Sequence, residues 1–474
     1  MSEPASPSRT AAGGARTAVV LGGSHTGMLA ARALAASADR VVVVERDVLP
    51  AGAEPRKGLP QARHAHMLWS GGVRAAEELL PGITSVLRGA GARRQPVTTD
   101  IVALSGQGWF RRWPESHHVV LAGRDLLDSV IRARVLADER IEVVERAEAL
   151  GLTGTGAAVT GVRIRERDGG ERTLEAGFVV DATGRGSRAA RWLTGLGLPE
   201  PEVRVVDSGL VYASRLFLAP EPAREAFPIV NVQPDPRDGG PGRAGFLLPV
   251  EDGRWIVTLS GTRGGEPSSA EEDFVRFARD ELRHPLIGEL IEQAEPLTDV
   301  SVTRTTVNRR HYYERMPAWP ENFAVLGDAL AALNPVYGHG LAVGAQSALL
   351  LRNVIRRHGW GVPGLARRVQ AAVARPVAAG WDLAIGQDVF YPGATQDGPS
   401  LRDRLVAGYV DRLMLTATGN GRIARRVTDV TSLERGAGVL LTPSVLLAAV
   451  VGPLKPALPG PPLTSEELKR AGLR

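Results

Sequence analysis

The chain contains no cysteine. Disulfides, thiolate metal centres and thioether-linked cofactors are thereby excluded, and a reducing cytoplasm fits. Lysine is almost missing too, with Lys57, Lys455 and Lys469 the only three. The net charge of +5 and the pI of 9.8 therefore rest on arginine. These arginines are spread along the chain, without a basic stripe interleaved with aromatics, so nucleic-acid binding is not expected. Aromatic residues make up 5%, which leaves the core to aliphatic packing. No apolar run reaches the ~20 residues of a membrane span. The best stretch, Val439–Val451, is short and carries Thr442, Pro443 and Ser444, which suggests a buried or surface-seated helix pair. The first sixteen residues lack an apolar core and read as a loose tail.

What is present is a chain of 474 residues, 43% hydrophobic and 23% charged. That length suits two or three domains. The most informative stretch is Thr17–Asp47. An apolar run, Ala18-Val19-Val20-Leu21, enters Gly22-Gly23-Ser24-His25-Thr26-Gly27. A helical segment follows over Met28–Ala36, then a second apolar run, Val41–Val44, ending in Glu45 and Arg46. Strand, glycine turn, helix, strand and acid together suit a dinucleotide. Backbone N–H groups and a helix N-terminus approach the pyrophosphate, and the acid binds ribose hydroxyls. Glu45 falls 23 residues after Gly22, close to the ~20 of this pattern. Ser24 replaces the middle glycine, so the turn must tolerate a small side chain. The alternative is an ordinary glycine-rich turn that binds nothing.

Further along, Ile101–Leu104, Gly108–Trp113 and His118–Ala122 suggest a small antiparallel sheet. Arg124–Val135 reads as a helix. Two strands, Ile141–Val144 and Val162–Arg165, flank a turn-rich Gly151–Gly156. The strands Gly209–Phe217, Ala244–Val250 and Trp255–Leu259 come next, and Ala270–Gln293 is helical. Phe323–Leu326 is a buried strand feeding Gly327-Asp328. Beyond Gly340 the chain is mainly helical, with a loop at Tyr391–Ser400. The predicted fold class is α/β. A Rossmann-like domain is discontinuous over 17–96, 123–200 and 305–360. A sheet-containing domain occupies 97–122 and 201–304, and a helical region closes the chain over 361–474.

Three separated segments carry the functional reading. They are the glycine turn with Glu45; Val179-Val180-Asp181-Ala182-Thr183-Gly184-Arg185-Gly186-Ser187; and Val325-Leu326-Gly327-Asp328-Ala329 with Asn334-Pro335-Val336-Tyr337-Gly338-His339-Gly340. Their order resembles the single-component flavin monooxygenases built like aromatic hydroxylases. Within that group, the segment Arg56–His66, Asn334–Gly340 and Asp252–Val257 look like the bacterial flavin epoxidases of polyether-antibiotic biosynthesis, of the lasalocid and monensin type. The resemblance runs from about Ala18 past Pro392.

The resemblance implies noncovalent FAD, O2 as co-substrate and epoxidation of a linear polyketide polyene, free or carrier-bound, through a flavin C4a-hydroperoxide. It implies FAD contacts from Gly22, Gly23, Ser24, Thr26, Gly27, Glu45, Arg46, Arg63, His64, Arg124, Asp181, Gly184, Gly327, Asp328, Pro335, Gly338 and Gly340. Asp328 would hold the ribityl hydroxyls, and Asn334, Pro335 and Val336 would lie beside the flavin ring. Thr183 stands where related hydroxylases carry an Asp tied to FAD and NADPH. With no second dinucleotide fingerprint, electrons must come from NADPH reacting transiently or from a partner flavin reductase.

Several residues keep a second reading. His64 and His66 could line the cofactor or a structural loop, and no third ligand suggests a metal. Arg124 could be a solvated helix-end residue, and Asp181 could cap its turn. Phe246, Leu247 and Trp255 could line a substrate channel or belong to the core. A hydroxylase, a halogenase, an isoprenoid reductase and a non-enzymatic flavin binder are the competing functions. No Trp-x-Trp-x-Ile-Pro segment marks a halogenase.

Overall fold

The computed structural model describes residues 16–304 and 306–473. The expected tail lies outside these residues, apart from Arg16, which pairs with Asp39 at 2.9 Å.

A five-stranded sheet lies at the centre, in the order Phe323–Val325, Phe178–Asp181, Thr17–Leu21, Arg40–Val44, Ile141–Val144. Every pairing in it is parallel. The near-continuous valines of Val41–Val44 suit strands covered on both faces; all four are buried. The crossover helix His25–Leu34 fills one face with small residues, Ala30, Ala31 and Ala33. Their size lets the long helix Gly340–His358 pack against it.

A second, eight-stranded sheet is mainly antiparallel. Val211–Leu218, Arg254–Gly261 and Arg243–Pro249 form its middle. One face is closed by the helices Glu271–Arg276 and Leu286–Ile291, with Phe217, Trp255, Leu247 and Phe274 in the core between them. On the other face, Leu248 and Ile256 pack against Val119 and Leu121, with Trp69 at the edge of the cluster. This contact joins the two sheets through the small sheet Met67–Trp69, His118–Leu121, Arg93–Pro96.

Three sequence expectations need correction. Ile101–Ser105 and Gly108–Trp109 do pair with each other, but as the edge of the large sheet, beside Ile229–Val232. His118–Leu121 pairs elsewhere, with Met67–Trp69 and Arg93–Pro96. The turn-rich Gly151–Gly156 is mostly strand: Glu148–Gly154 pairs antiparallel with Val159–Arg165. The helical stretch Ala270–Gln293 is broken between Leu282 and Pro285, where proline removes a donor.

The C-terminal helices Leu401–Gly419, Gly421–Thr431 and Pro443–Val451 share a small core of Leu413, Ala417, Ile423 and Val445. Among the described residues no helix is long and apolar enough to cross a membrane.

Candidate functional site

The glycine turn leaves the C-terminal end of Thr17–Leu21. Gly22 has φ +95°, and a Cβ there would lie 2.6 Å from the Ala182 carbonyl oxygen. A Cβ on Gly27 would collide with the Gly22 carbonyl oxygen. Only glycine fits both constraints, so the turn is drawn tightly against the Asp181–Ser187 segment. Thr26 touches Gly327 and Gly344, which brings the late Gly-Asp turn and the helix Gly340–His358 to the same place. The three motifs therefore converge at the C-terminal edge of the parallel sheet, the place where open α/β sheets bind ligands.

Glu45 is buried, and its Oε2 accepts the Gly23 N–H at 2.7 Å while its Oε1 accepts the Asp47 N–H at 3.0 Å. Arg56 Nη2 lies 2.9 Å from Glu45 Oε2 and 3.5 Å from Asp47. Arg46 is exposed and donates to the Gly58 carbonyl at 3.1 Å.

Ser24 caps the helix His25–Leu34, yet its hydroxyl makes no capping bond to the first turn. It accepts from Arg124 Nη2 at 2.9 Å and donates to Asp128 Oδ2 at 3.3 Å. The side chain that replaces a glycine thus ties the turn to the helix Arg124–Leu136. Arg124 is buried, and its Nε pairs with Asp128 Oδ1 at 2.8 Å, which removes the solvated reading. His25 donates through Nε2–H to the Leu341 carbonyl, 3.1 Å away, while its buried Nδ1 has no partner. Burial and then the Arg124 charge push the His25 pKa down to about 4. Uncapped N–H groups and a guanidinium form a setting that fits a pyrophosphate.

The two expected acids differ. Asp181 is fully buried, and Thr183 N and Oγ1 donate to its Oδ1 at 2.9 and 2.6 Å. Ser187 Oγ donates to its Oδ2 at 2.6 Å. It is the cap of its own turn, in which Gly184 starts a short 3-10 segment, Gly184–Gly186. Asp328 is half-buried, with no hydrogen-bond partner among the described residues. Burial raises its pKa, while Arg185 and Arg124 act in the opposite sense. It borders Gly340, the first residue of the long helix.

Asn334 caps the turn Pro335–Tyr337, which Gly338 ends. Its Oδ1 accepts from Val336 N and from the Tyr212 hydroxyl, both at 2.8 Å. Its Nδ2 donates to Asp388 Oδ2 at 2.7 Å. Pro335 is exposed, and Val336, Tyr337 and Gly338 are half-exposed, so this turn presents itself beside the converging motifs.

The remaining expected residues fall elsewhere. Arg63 is exposed at the end of Pro60–Arg63. His64 turns to the large sheet, its nitrogens 2.8 Å from Ser214 Oγ and Thr303 Oγ1. Burial and then Arg63 lower its pKa to about 4, so it is neutral at pH 7. Trp255 and Leu247 are fully buried against the covering helices and do not line a channel. Phe246 lies on the opposite face, paired with Thr258, which contacts Ser214 at 2.6 Å. Both faces of this sheet are covered, so apolar alternation alone could not tell them apart.

Asp128, Arg56, His25, Tyr212 and Asp388 were not singled out from sequence. Asp128 had a signal, its i+4 spacing from Arg124. Arg56 lies within a quoted motif, but nothing local connected it to Glu45.

Residues 18–192 match the family described as FAD dependent oxidoreductase. The chain is 28% identical over 391 residues to Protein Rv3254 of Mycobacterium tuberculosis (strain ATCC 25618 / H37Rv), covering 80% of this chain and 81% of that protein. Among solved structures it is similar to the flavin-dependent brominase Bmp2, with a TM-score of 0.61 and 15% identity over 82% of this chain and 92% of that one. It is also similar to p-nitrophenol 4-monooxygenase PnpA from Pseudomonas putida DLL-E4, with a TM-score of 0.61 and 16% identity over 89% and 99%. The chain thus has the mixed α/β fold of the flavin monooxygenases, and its first two hundred residues carry the FAD-dependent oxidoreductase pattern.

Proposed function

We propose that this protein is an FAD-dependent monooxygenase that epoxidises alkenes of a linear polyketide polyene, in polyether-type natural-product biosynthesis. The observation that carries the flavin reading is the convergence of Gly22–Gly27, Ala182 and Gly327-Asp328 on one edge of the parallel sheet. In this reading the glycine turn, Ser24 and Arg124 hold the pyrophosphate. Glu45 meets the adenosine ribose, and Asp328, the acid without a partner among the described residues, takes the ribityl hydroxyls. The backbone of Pro335–Tyr337 borders the ring. When bound and reduced, FAD supplies the activation of O2. NADPH or a partner flavin reductase delivers the electrons in a cytoplasmic setting. The flavin-binding body is 17–96, 123–200 and 305–360, with the sheet-containing domain of 97–122 and 201–304 over the substrate.

The epoxidase reading rests on the resemblance of Arg56–His66, Asp252–Val257 and Asn334–Gly340. One feature of the site agrees with it. Oxygen transfer to an alkene needs no base on the substrate, and the sheet face near His64 carries neutral groups: Ser214, Thr258 and Thr303. Hydroxylation of a polyketide or aromatic substrate is the second reading; the buried Tyr212–Asn334–Asp388 chain favours it. Halogenation, as in the brominase, lacks support, because the lysines are confined to positions 57, 455 and 469.

The test supplies FAD-loaded protein with NADPH, a flavin reductase, heavy O2 and a trisubstituted-alkene polyene ester. Heavy oxygen retained as epoxide supports the proposal. A hydroxylated product moves the assignment to the second reading. Product formed without O2 would leave only a reductase.

A further inference from the structure

Asp388 ends the helix Leu365–Asp388 and is 4% exposed. A negative charge at a helix C-terminus opposes the macrodipole, and burial opposes the charge again. No cation pairs with it among the described residues. Three neutral donors instead converge on a single oxygen, Oδ2: Asn334 Nδ2 at 2.7 Å, Asn308 Nδ2 at 2.8 Å and Ser208 Oγ at 3.3 Å. They come from three separate places. Asn334 caps the Pro335–Tyr337 turn, Asn308 opens the strand Asn308–His311, and Ser208 precedes Val211–Leu218 in the large sheet.

Asn334 and Asn308 are also bonded to each other, the Asn334 N–H donating to Asn308 Oδ1 at 2.6 Å. The bonds form a closed ring through Asp388. Asn334 then passes the constraint on, through its Oδ1, to the Val336 N–H and the Tyr212 hydroxyl. The titratable groups around Asp388 are Asp207, Tyr212, Tyr337 and Tyr391, and every one is an acid. The guanidinium that acts on Tyr212, Arg185, donates to the carbonyls of Val307 and Leu333. A carboxylate kept in such surroundings needs a reason beyond packing. Bonds to an ionised acceptor are shorter and stronger than neutral ones, and here all three bear on one turn and its neighbours.

We propose that Asp388 is a positioning residue: its carboxylate, acting through Asn334, fixes the Pro335–Tyr337 turn and the Tyr212 hydroxyl in one register against the flavin ring. This rests on the flavin reading above. Burial raises the Asp388 pKa to about 6. The hold is therefore full at neutral pH and weakens as pH falls through 6.

The test compares the full-length wild type with Asp388→Asn by hydrogen exchange without cofactor, and by visible circular dichroism of bound FAD from pH 5 to 8.5. The Val336 and Asn334 amides are direct reporters. In the variant they should exchange at least tenfold faster, equivalent to about 1.4 kcal/mol, with distant segments unchanged. The wild-type flavin signal should step near pH 6, and the variant should lack that step. Unchanged exchange at Asn334 and Val336, or a step that persists in the variant, overturns the proposal. If the variant fails to fold, the wild type decides by the presence or absence of the step in its flavin signal. If the wild type retains no FAD, the flavin reading fails by itself, and exchange still decides whether Asp388 holds the turn.

Discussion

At the scale of single residues, the two acids of the late motifs have opposite jobs. Asp181 engages both oxygens with Thr183 and Ser187, whereas Asp328 engages neither among the described residues. Asp328→Ala should therefore leave the melting temperature almost unchanged. It should weaken FAD binding about a hundredfold, as expected for losing two charge-assisted bonds of ~1.5 kcal/mol each. Gel filtration followed by flavin absorbance measures the retained cofactor, and full retention would remove Asp328 from the site. Asp181→Ala should do the reverse. It leaves the Thr183 and Ser187 donors without their acceptor and should cost about 2–4 kcal/mol of stability, read by denaturant titration. Ser24 shows what a residue type alone hides. Sequence marks it as a missing glycine, but its hydroxyl joins Arg124 and Asp128. That role depends on a helix one hundred residues away.

At the scale of elements, the approach of the Arg124 helix is set by Glu251. This carboxylate sits in the turn between Arg243–Pro249 and Arg254–Gly261 and accepts the Gly123 N–H at 2.8 Å, just before the helix begins. One side chain thereby couples a hairpin of the large sheet to a helix of the flavin body. Glu251→Ala should cost about 1–2 kcal/mol and loosen FAD severalfold through Arg124. A variant with wild-type cofactor affinity and stability would show the coupling to be idle.

The same scale explains what was legible. The crossover unit Thr17–Val44 could be read because its signals are local: apolar strands, a turn that needs glycine, and an acid at the right distance. The roles expected of Arg124 and Asp328 rest on the family resemblance. Asp388 could not be read, because its partners Asn334, Asn308 and Ser208 lie 54, 80 and 180 residues away. The choice between core and channel for Leu247 and Trp255 stayed open in the sequence because a sheet buried on both faces is apolar in either parity. Gly151–Gly156 reads as turn-rich because its glycines mask a pairing seen only with Val159–Arg165.

At the scale of the whole molecule, acid sensitivity follows from buried neutral imidazoles. His25, His64 and His339 are each pushed down to about 4, and His66 to about 3, chiefly by burial. Their folded pKa lies below the unfolded 6.5, so the unfolded chain binds more protons between these values. Stability should be complete above pH 6.5 and fall as pH drops towards 4. Asp388, raised to about 6, acts in the opposite direction from pH 4 to 6, and burial raises Asp181 and Asp328 in the same sense, against four imidazoles. Melting temperatures across pH 4–8 should rise steeply to about pH 6.5 and then level off. A flat profile would mean that these imidazoles are solvated. Replacing His25, His64 and His339 with Gln should flatten the curve.

The order of strands in the central sheet has one more consequence, for the chain as it is made. Phe178–Asp181 lies between Thr17–Leu21 and Phe323–Val325. Its second neighbour is encoded 142 residues after Asp181. At roughly 5–20 residues per second, a ribosome needs on the order of ten seconds or more to supply it. For that interval the nascent sheet carries a bare, valine-rich edge, the kind that other chains can pair with. Fragments ending near residue 300 should aggregate, while those extended past the helix Leu365–Asp388 should not. The arrangement that brings three distant motifs to one edge of the sheet also makes the newborn protein dependent on a late strand.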